Sequence, residues 1–171
     1  MHTRSASLSQ YPQRSEFLFL STFMSTTMKF ASLAAAVQPV LAFALAAFAQ
    51  TQSLSYDTTY DNPSLSLTSV ACSNGPNGLI TKGYTTLGSL PTFPNVGGVY
   101  TVTGWNSAGC GTCYNVTYGS KSLTVLAVDV SLDGFNLSEE AMNTLTGGLA
   151  VELGRVQVTA TQIDASVCGI H

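Results

Sequence analysis

Apolar and polar residues alternate through much of the second half of the chain. Cys113–Gly119 (CYNVTYG) and Ser122–Val130 (SLTVLAVDV) each predict a strand, and Tyr118-Gly119-Ser120-Lys121 predicts a tight hairpin between them. Gly98–Trp105 (GVYTVTGW) predicts a strand before this pair. Gly154–Asp164 (GRVQVTATQID) predicts a last alternating strand. The clearest helix is in Asn136–Gly148 (NLSEEAMNTLTGG): Asn136 followed three residues later by Glu139 resembles a capping box, and Gly147-Gly148 stops it. Upstream, Asn62-Pro63 is turn chemistry, and Pro63 at a first helical position predicts a short helix over the apolar pattern Leu65, Leu67, Val70. Ser73–Gly78 (SNGPNG) is a dense turn signal, and Thr86–Gly98 is a Pro/Gly-rich loop ordered by Leu90 and Phe93. The sum is one mostly β domain with a short helix near each end of the strand set.

The N-terminus changes how much of the 171-residue chain has to fold. Met28–Gln50 carries Lys29, a long apolar run and Ala47-Phe48-Ala49, the anatomy of a secretory signal cleaved after Ala49. The run is also long enough to span a bilayer, but it is Ala-rich, interrupted by Gln38 and Pro39, and ends on small residues, so no membrane anchor is expected. Residues 1–27 read as an upstream extension of the translated frame, with Met28 as the start, or alternatively as a long n-region. Residues 28–49 are then the signal peptide and 50–171 the folded domain, in the size range of a single domain.

Charge narrows the partners. The domain keeps three cations (Lys82, Lys121, Arg155) against eight carboxylates (Asp57, Asp61, Asp129, Asp133, Glu139, Glu140, Glu152, Asp164), a formal net charge of −5 with no basic run. Nucleic acid, which needs clustered Lys and Arg against phosphates, is excluded as a partner class. A surface left to Ser, Thr, Asn, Gly and Tyr suits neutral, hydroxyl-rich ligands.

All four cysteines, Cys72, Cys110, Cys113 and Cys168, lie in this domain. Zinc ribbons need two facing Cys-x-x-Cys knuckles, and only Cys110-Gly111-Thr112-Cys113 is present. A redox pair wants a following helix whose N-terminus lowers the thiol pKa, whereas a strand pattern follows here. An even count in a small secreted chain favours two structural disulfides. Cys110 and Cys113 are too close to pair with each other in that role, which leaves two connectivities open.

Six stretches in order resemble the cerato-platanins, small secreted fungal proteins: SYDTTYDN from Ser55, VACSNGPNGL from Val70, TLGSLPTFPNVGG from Thr86, GWNSAGCGTCYNVTY from Gly104, VDVSLDGFNLS from Val128 and GRVQVTATQID from Gly154. The resemblance covers about Ser55 to Cys168, with the four cysteines at the family's spacing. It implies a six-stranded double-ψ β-barrel with short peripheral helices, like that of expansins, and the pairing Cys72–Cys110 and Cys113–Cys168. Each such bridge would be worth about 4 kcal/mol in the chain-entropy picture. It further implies a non-catalytic protein of the extracellular space or cell wall, with no cofactor and no metal. Such a protein binds chitin or N-acetylglucosamine oligomers, loosens polysaccharide as expansins do, self-assembles at interfaces, and elicits plant defence through a host receptor.

The resemblance also points to individual residues. Asp129, at the end of an apolar strand, matches a carboxylate that related endoglucanases use as general acid. Inverting hydrolysis needs two carboxylates about 6.5–9.5 Å apart, and Asp57 is the one family-matching partner. The alternative is that Asp129 caps a turn or accepts backbone amides. Ser73, Asn74 and Gly75 offer a hydroxyl, an amide and open backbone to a sugar, or else form a turn locked by Cys72. Phe135 and Asn136 match positions near the family's binding surface; their alternatives are core and helix cap. Trp105, the single tryptophan, reads as core beside the cysteines, with stacking on a pyranose ring as its alternative, and Tyr114 and Tyr56 are weighed in the same way. Asn115-Val116-Thr117 and Asn136-Leu137-Ser138 are glycosylation acceptors, and a glycan on Asn136 would crowd the binding surface; Asn62-Pro63-Ser64 is excluded by its proline. Two further functions compete: a weak endoglucanase with Asp129 as acid and Asp57 as base, and a surface-active structural protein that forms interfacial films.

Overall fold

The computed structural model describes residues 49–171. The segments read as an upstream extension (1–27) and a signal peptide (28–49) lie outside the described residues, Ala49 excepted. Six strands form the frame: β1 (Gln50–Tyr56), β2 (Val96–Val99), β3 (Cys113–Tyr118), β4 (Lys121–Val130), β5 (Phe135–Leu137) and β6 (Arg155–Ile163). They close into a barrel in the order β1-β5-β2-β4-β3-β6, so no edge is left unpaired. Two pairs are parallel, β1 with β5 and β2 with β4, and the other four are antiparallel. This closed six-stranded barrel with short helices at its periphery is the expected fold.

The alternation that predicts β3, β4 and β6 places their side chains. In β6, Val156, Val158 and Ala160 are buried while Arg155, Gln157 and Thr159 face solvent. Tyr118 pairs with Lys121 across the two-residue turn, where Gly119 takes a left-handed φ of 58°. The inward residues meet Leu54, Val96, Val99, Phe135 and Leu137 from the other strands in one core. Tyr114 and Phe135 pack edge to face there, centroids 5.4 Å apart.

Elsewhere the structure departs from the sequence expectations. The strand expected at Gly98–Trp105 is short and lies earlier, at Val96–Val99; a series of turns follows it, carrying left-handed Asn106 and Gly111. β2 slips between β4 and β5 on a glycine pair: a Cβ on Gly97 would stand 2.2 Å from the Asn136 carbonyl oxygen, and one on Gly98 would stand 2.5 Å from that of Val130. β1 and β5 carry no clear alternation and were not expected. The helix expected after Pro63 is replaced by single 3-10 turns at Thr58–Asp61 and Leu67–Ser69, with Pro63 in the turn between them.

Helix α1 (Glu139–Thr146) starts from Ser138, not from Asn136, which is paired within β5. The Ser138 hydroxyl accepts from the Ala141 amide at 3.0 Å, and the Asp61 carboxylate accepts from the Glu139 and Glu140 amides at 2.9 and 3.0 Å. Gly147, at φ 75°, ends the helix as expected, and a single turn α2 (Ala150–Leu153) leads into β6. No described helix is long and apolar enough to cross a membrane.

The cysteine question resolves into two disulfides, Cys72–Cys110 and Cys113–Cys168, with no free thiol among the described residues. The first ties two loops together. The second joins the start of β3 to the 3-10 turn after β6 (Ala165–Cys168).

Candidate functional site

Asp129 is the last-but-one residue of β4, where the strand leaves the core and the carboxylate emerges half-buried. Its Oδ1 accepts from the Ala71 amide at 2.9 Å and from the Val130 amide at 2.9 Å; its Oδ2 accepts from the Tyr60 hydroxyl at 3.1 Å. A carboxylate offers about four acceptor sites, so one is left for a ligand. The neighbouring Cys72 amide donates to the Val128 carbonyl at 3.1 Å, so the loop Ala71–Asn74 is laced to the end of β4 at two successive residues. The backbone-accepting role set out for Asp129 is thus occupied, on a carboxylate that still reaches the surface.

Tyr60 is buried. Burial, then the charge of Asp129 and its hydrogen bond, then the charge of Asp57, push its hydroxyl far above the usual phenol range. The raised value keeps the hydroxyl protonated as the donor to Asp129. Tyr60 has no sequence signal of its own, because nothing in its neighbourhood links it to a partner sixty-nine residues away.

Asp57 lies close enough for its charge to act on Tyr60. Its carboxylate accepts from the Thr59 amide at 2.8 Å and so caps the turn Thr58–Asp61, while its own amide donates to Leu137 at 2.8 Å. Ser73 is buried and its carbonyl accepts from Ile80, whereas Asn74 is exposed. Gly75 holds φ 91°, and a Cβ there would meet Asn106 Oδ1 at 2.7 Å. Phe135 is fully enclosed, wedged edge-on between Tyr100 and Tyr114, and presents no face to solvent. Asn136 is half-buried in β5, its Oδ1 accepting from Ser55 Oγ at 3.0 Å. Asp129 and Asp57 therefore both act on Tyr60, Ala71 joins them through Asp129, and the Phe135 ring does not join them.

Trp105 departs from the core reading: it is 64% exposed. Tyr114 is core, and Tyr56 is half-buried against it. Of the two glycosylation acceptors, Asn115 points outward from β3, while Ser138, the third residue of the other, is fully buried. A separate cavity of about 320 Å³ opens beside Cys110, lined by Asn77, Lys82, Thr112, Gln162 and Ile170. None of the carbohydrate candidates lines it.

Residues 52–170 match the family model described as cerato-platanin. The chain belongs to the cerato-platanin family. It is 49% identical to the heat-stable 19 kDa antigen of Coccidioides immitis over 84% of this chain and 99% of that protein. It is 43% identical to cerato-platanin of Ceratocystis fimbriata f. sp. platani over 82% of this chain and 96% of the relative. Among solved structures, cerato-platanin 3 from M. perniciosa superposes with a TM-score of 0.68 at 50% identity, covering 71% of this chain and all of that one. The solution structure of the fungal elicitor cerato-platanin gives a TM-score of 0.62 at 46% identity, over 68% and 95% of the two chains. The superposed region is the cerato-platanin barrel.

Proposed function

We propose that this cerato-platanin is a secreted, wall-associated protein that binds β-linked polysaccharide, chitin and N-acetylglucosamine oligomers in the first place, and loosens it without cleaving it. The observation that carries the reading is the state of Asp129: three of its about four acceptor sites are taken by Ala71, Val130 and Tyr60, on a half-buried residue. Hydrolysis asks a carboxyl group to hand over or take up a proton, and its partner to activate a water. Here the partner is engaged in capping a turn through the Thr59 amide. A fixed acceptor beside neutral Ser and Asn groups suits holding a sugar hydroxyl or acetamide. Gripping a chain in a strained shape would weaken its contacts with neighbouring chains. Secretion is supported by the signal-like segment 28–49 and by two disulfides, which belong to oxidising compartments. Recognition by a plant receptor and elicitation of defence follow by analogy with the related fungal elicitor.

The test is sedimentation with insoluble chitin together with an assay for reducing ends. The protein is expected to partition into the chitin pellet and release no reducing sugar. Reducing ends that rise with protein and disappear in Asp129→Asn would replace this reading with the endoglucanase one. Films at an air–water interface with no saturable sugar binding would favour the surface-active alternative.

A further inference from the structure

We infer that Trp105 is the aromatic platform of the glycan site, extending it from Asp129 along Ala71–Asn74. This inference rests on the glycan-binding reading and adds a residue and a subsite to it. Several described residues expose large apolar side chains, among them Leu132, Val151 and Val167. Trp105 is the aromatic one, and its orientation is fixed. Its indole Nε1 donates to Asn74 Oδ1 at 2.7 Å. With its only polar atom already engaged, what the ring offers to water is its flat apolar face.

The fixing extends beyond one bond. Asn106 holds the left-handed region at φ 56°, a conformation that costs any residue but glycine, although asparagine tolerates it best. In that pose its Oδ1 accepts from the Asn77 amide at 2.9 Å and its carbonyl accepts from Asn77 Nδ2 at 2.9 Å. Gly75 leaves the space that Asn106 occupies. The loops Ser73–Gly78 and Gly104–Ser107 are thus buttoned together by Asn74, Asn77, Trp105 and Asn106, and Cys72–Cys110 ties their bases. Local strain and three hydrogen bonds serve to hold an aromatic ring in water, which is the arrangement of a preorganised binding surface.

The chemistry of the ligand follows from the pair. Asp129 is anchored at Ala71 and Trp105 at Asn74, so the two groups hold the ends of one short segment. Its Cα atoms reach at most about 10 Å, so one short oligosaccharide is long enough to touch both anchor points. The rings of β-linked glucose-type sugars present axial C–H bonds to a π face, which attracts them by its negative quadrupole. Their hydroxyl and acetamido groups suit the acceptor at Asp129 and the amide of Asn74. No cation is needed at either end.

Trp105 is the one tryptophan of the chain, so its intrinsic fluorescence reports on this ring alone. The secreted protein is titrated with the tetramer of N-acetylglucosamine and with cellotetraose, by fluorescence and calorimetry side by side. The expected result is a saturable emission change with the calorimetric midpoint, and an affinity about tenfold weaker in Trp105→Ala but largely recovered in Trp105→Phe. Both variants lose the Nε1 bond to Asn74, so a melting temperature equal in Trp105→Ala and Trp105→Phe, with binding recovered in the second alone, separates loss of the ring face from loosening of the loops. Calorimetric binding that is lost in Asp129→Asn yet intact in Trp105→Ala, with no emission change, overturns the platform and leaves the glycan reading standing. No heat with either oligomer overturns both.

Discussion

One side of the barrel, β3, β4 and β6, and the loop region Asp57–Thr112 are built on different principles. On the strand side, specification is spread out: Val156, Val158 and Ala160 of β6 are buried in alternation, and each residue of β3 has a ladder partner in β4. No single side chain decides the structure. On the loop side, short 3-10 turns and left-handed residues are held by single residues: Asp129 on Ala71, Asp57 on Thr59, Asn106 on Asn77, Cys72 on Cys110. The candidate site lies on the loop side, with its acid supplied by the end of a barrel strand. A regular sheet gives rigidity, and point constraints shape a surface on it.

The largest expected effect separates the two bridges. In the chain-entropy picture both are worth about 4 kcal/mol, with sequence separations of 38 and 55 residues. Their consequences should differ in place. Replacing Cys113 and Cys168 by Ser should lower the global unfolding free energy measured in denaturant. Replacing Cys72 and Cys110 should speed amide exchange first in Cys72–Ile80, leaving β3, β4 and β6 protected. Uniform loss of protection in both pairs would erase the distinction.

Next comes Gly97→Ala, where the new methyl meets the Asn136 carbonyl 2.2 Å away in the backbone of β5. Overpacking of this kind costs about 1–3 kcal/mol, read as a shift in the denaturation midpoint. An unchanged midpoint would mean that β2 is as tolerant as a loop.

Asp129→Asn should be milder for stability, about 1–2 kcal/mol, because an amide can keep some of the three donors satisfied but not all. Exchange of the Ala71 amide should accelerate while the β3–β4 ladder is untouched.

The smallest effect is a pH dependence. Hydrogen bonds from Ser166 hold the exposed Asp164 carboxyl below its ordinary value. A carboxyl depressed in the folded state stabilises above its unfolded pKa of about 4 and loses that contribution as pH falls through the lower folded value. Acid melting curves should therefore show a shallow loss below about pH 4, and Asp164→Asn should flatten it. A loss that begins near neutrality would contradict the assignment.

The same contrast explains what the sequence discloses. β3, β4 and β6 are legible because alternation over six or more residues leaves little else to form. β5 has three residues, and β2 contains Gly97-Gly98, so neither carries a usable pattern. Asn136 and Ser138 are both good caps in sequence, and pairing of Asn136 with Gly98 decides in favour of Ser138. At the site, Asp129, Asp57 and Ser73–Gly75 are visible through family resemblance. Tyr60 and Asn106 are not, because their roles depend on partners brought near only by folding. Trp105 reads as core because large aromatics usually are; its exposure reflects hydrogen bonding between two loops that no local rule contains.

The most direct test of the account is residue-by-residue amide mapping during titration with N-acetylglucosamine oligomers. Saturable shifts are expected to cluster at Ala71–Gly75, Asp129–Val130 and Trp105–Asn106, with the outer residues of β3 and β6 silent. Shifts confined to that strand face, or around the cavity beside Cys110, with Asp129 and its loop unmoved, would contradict it.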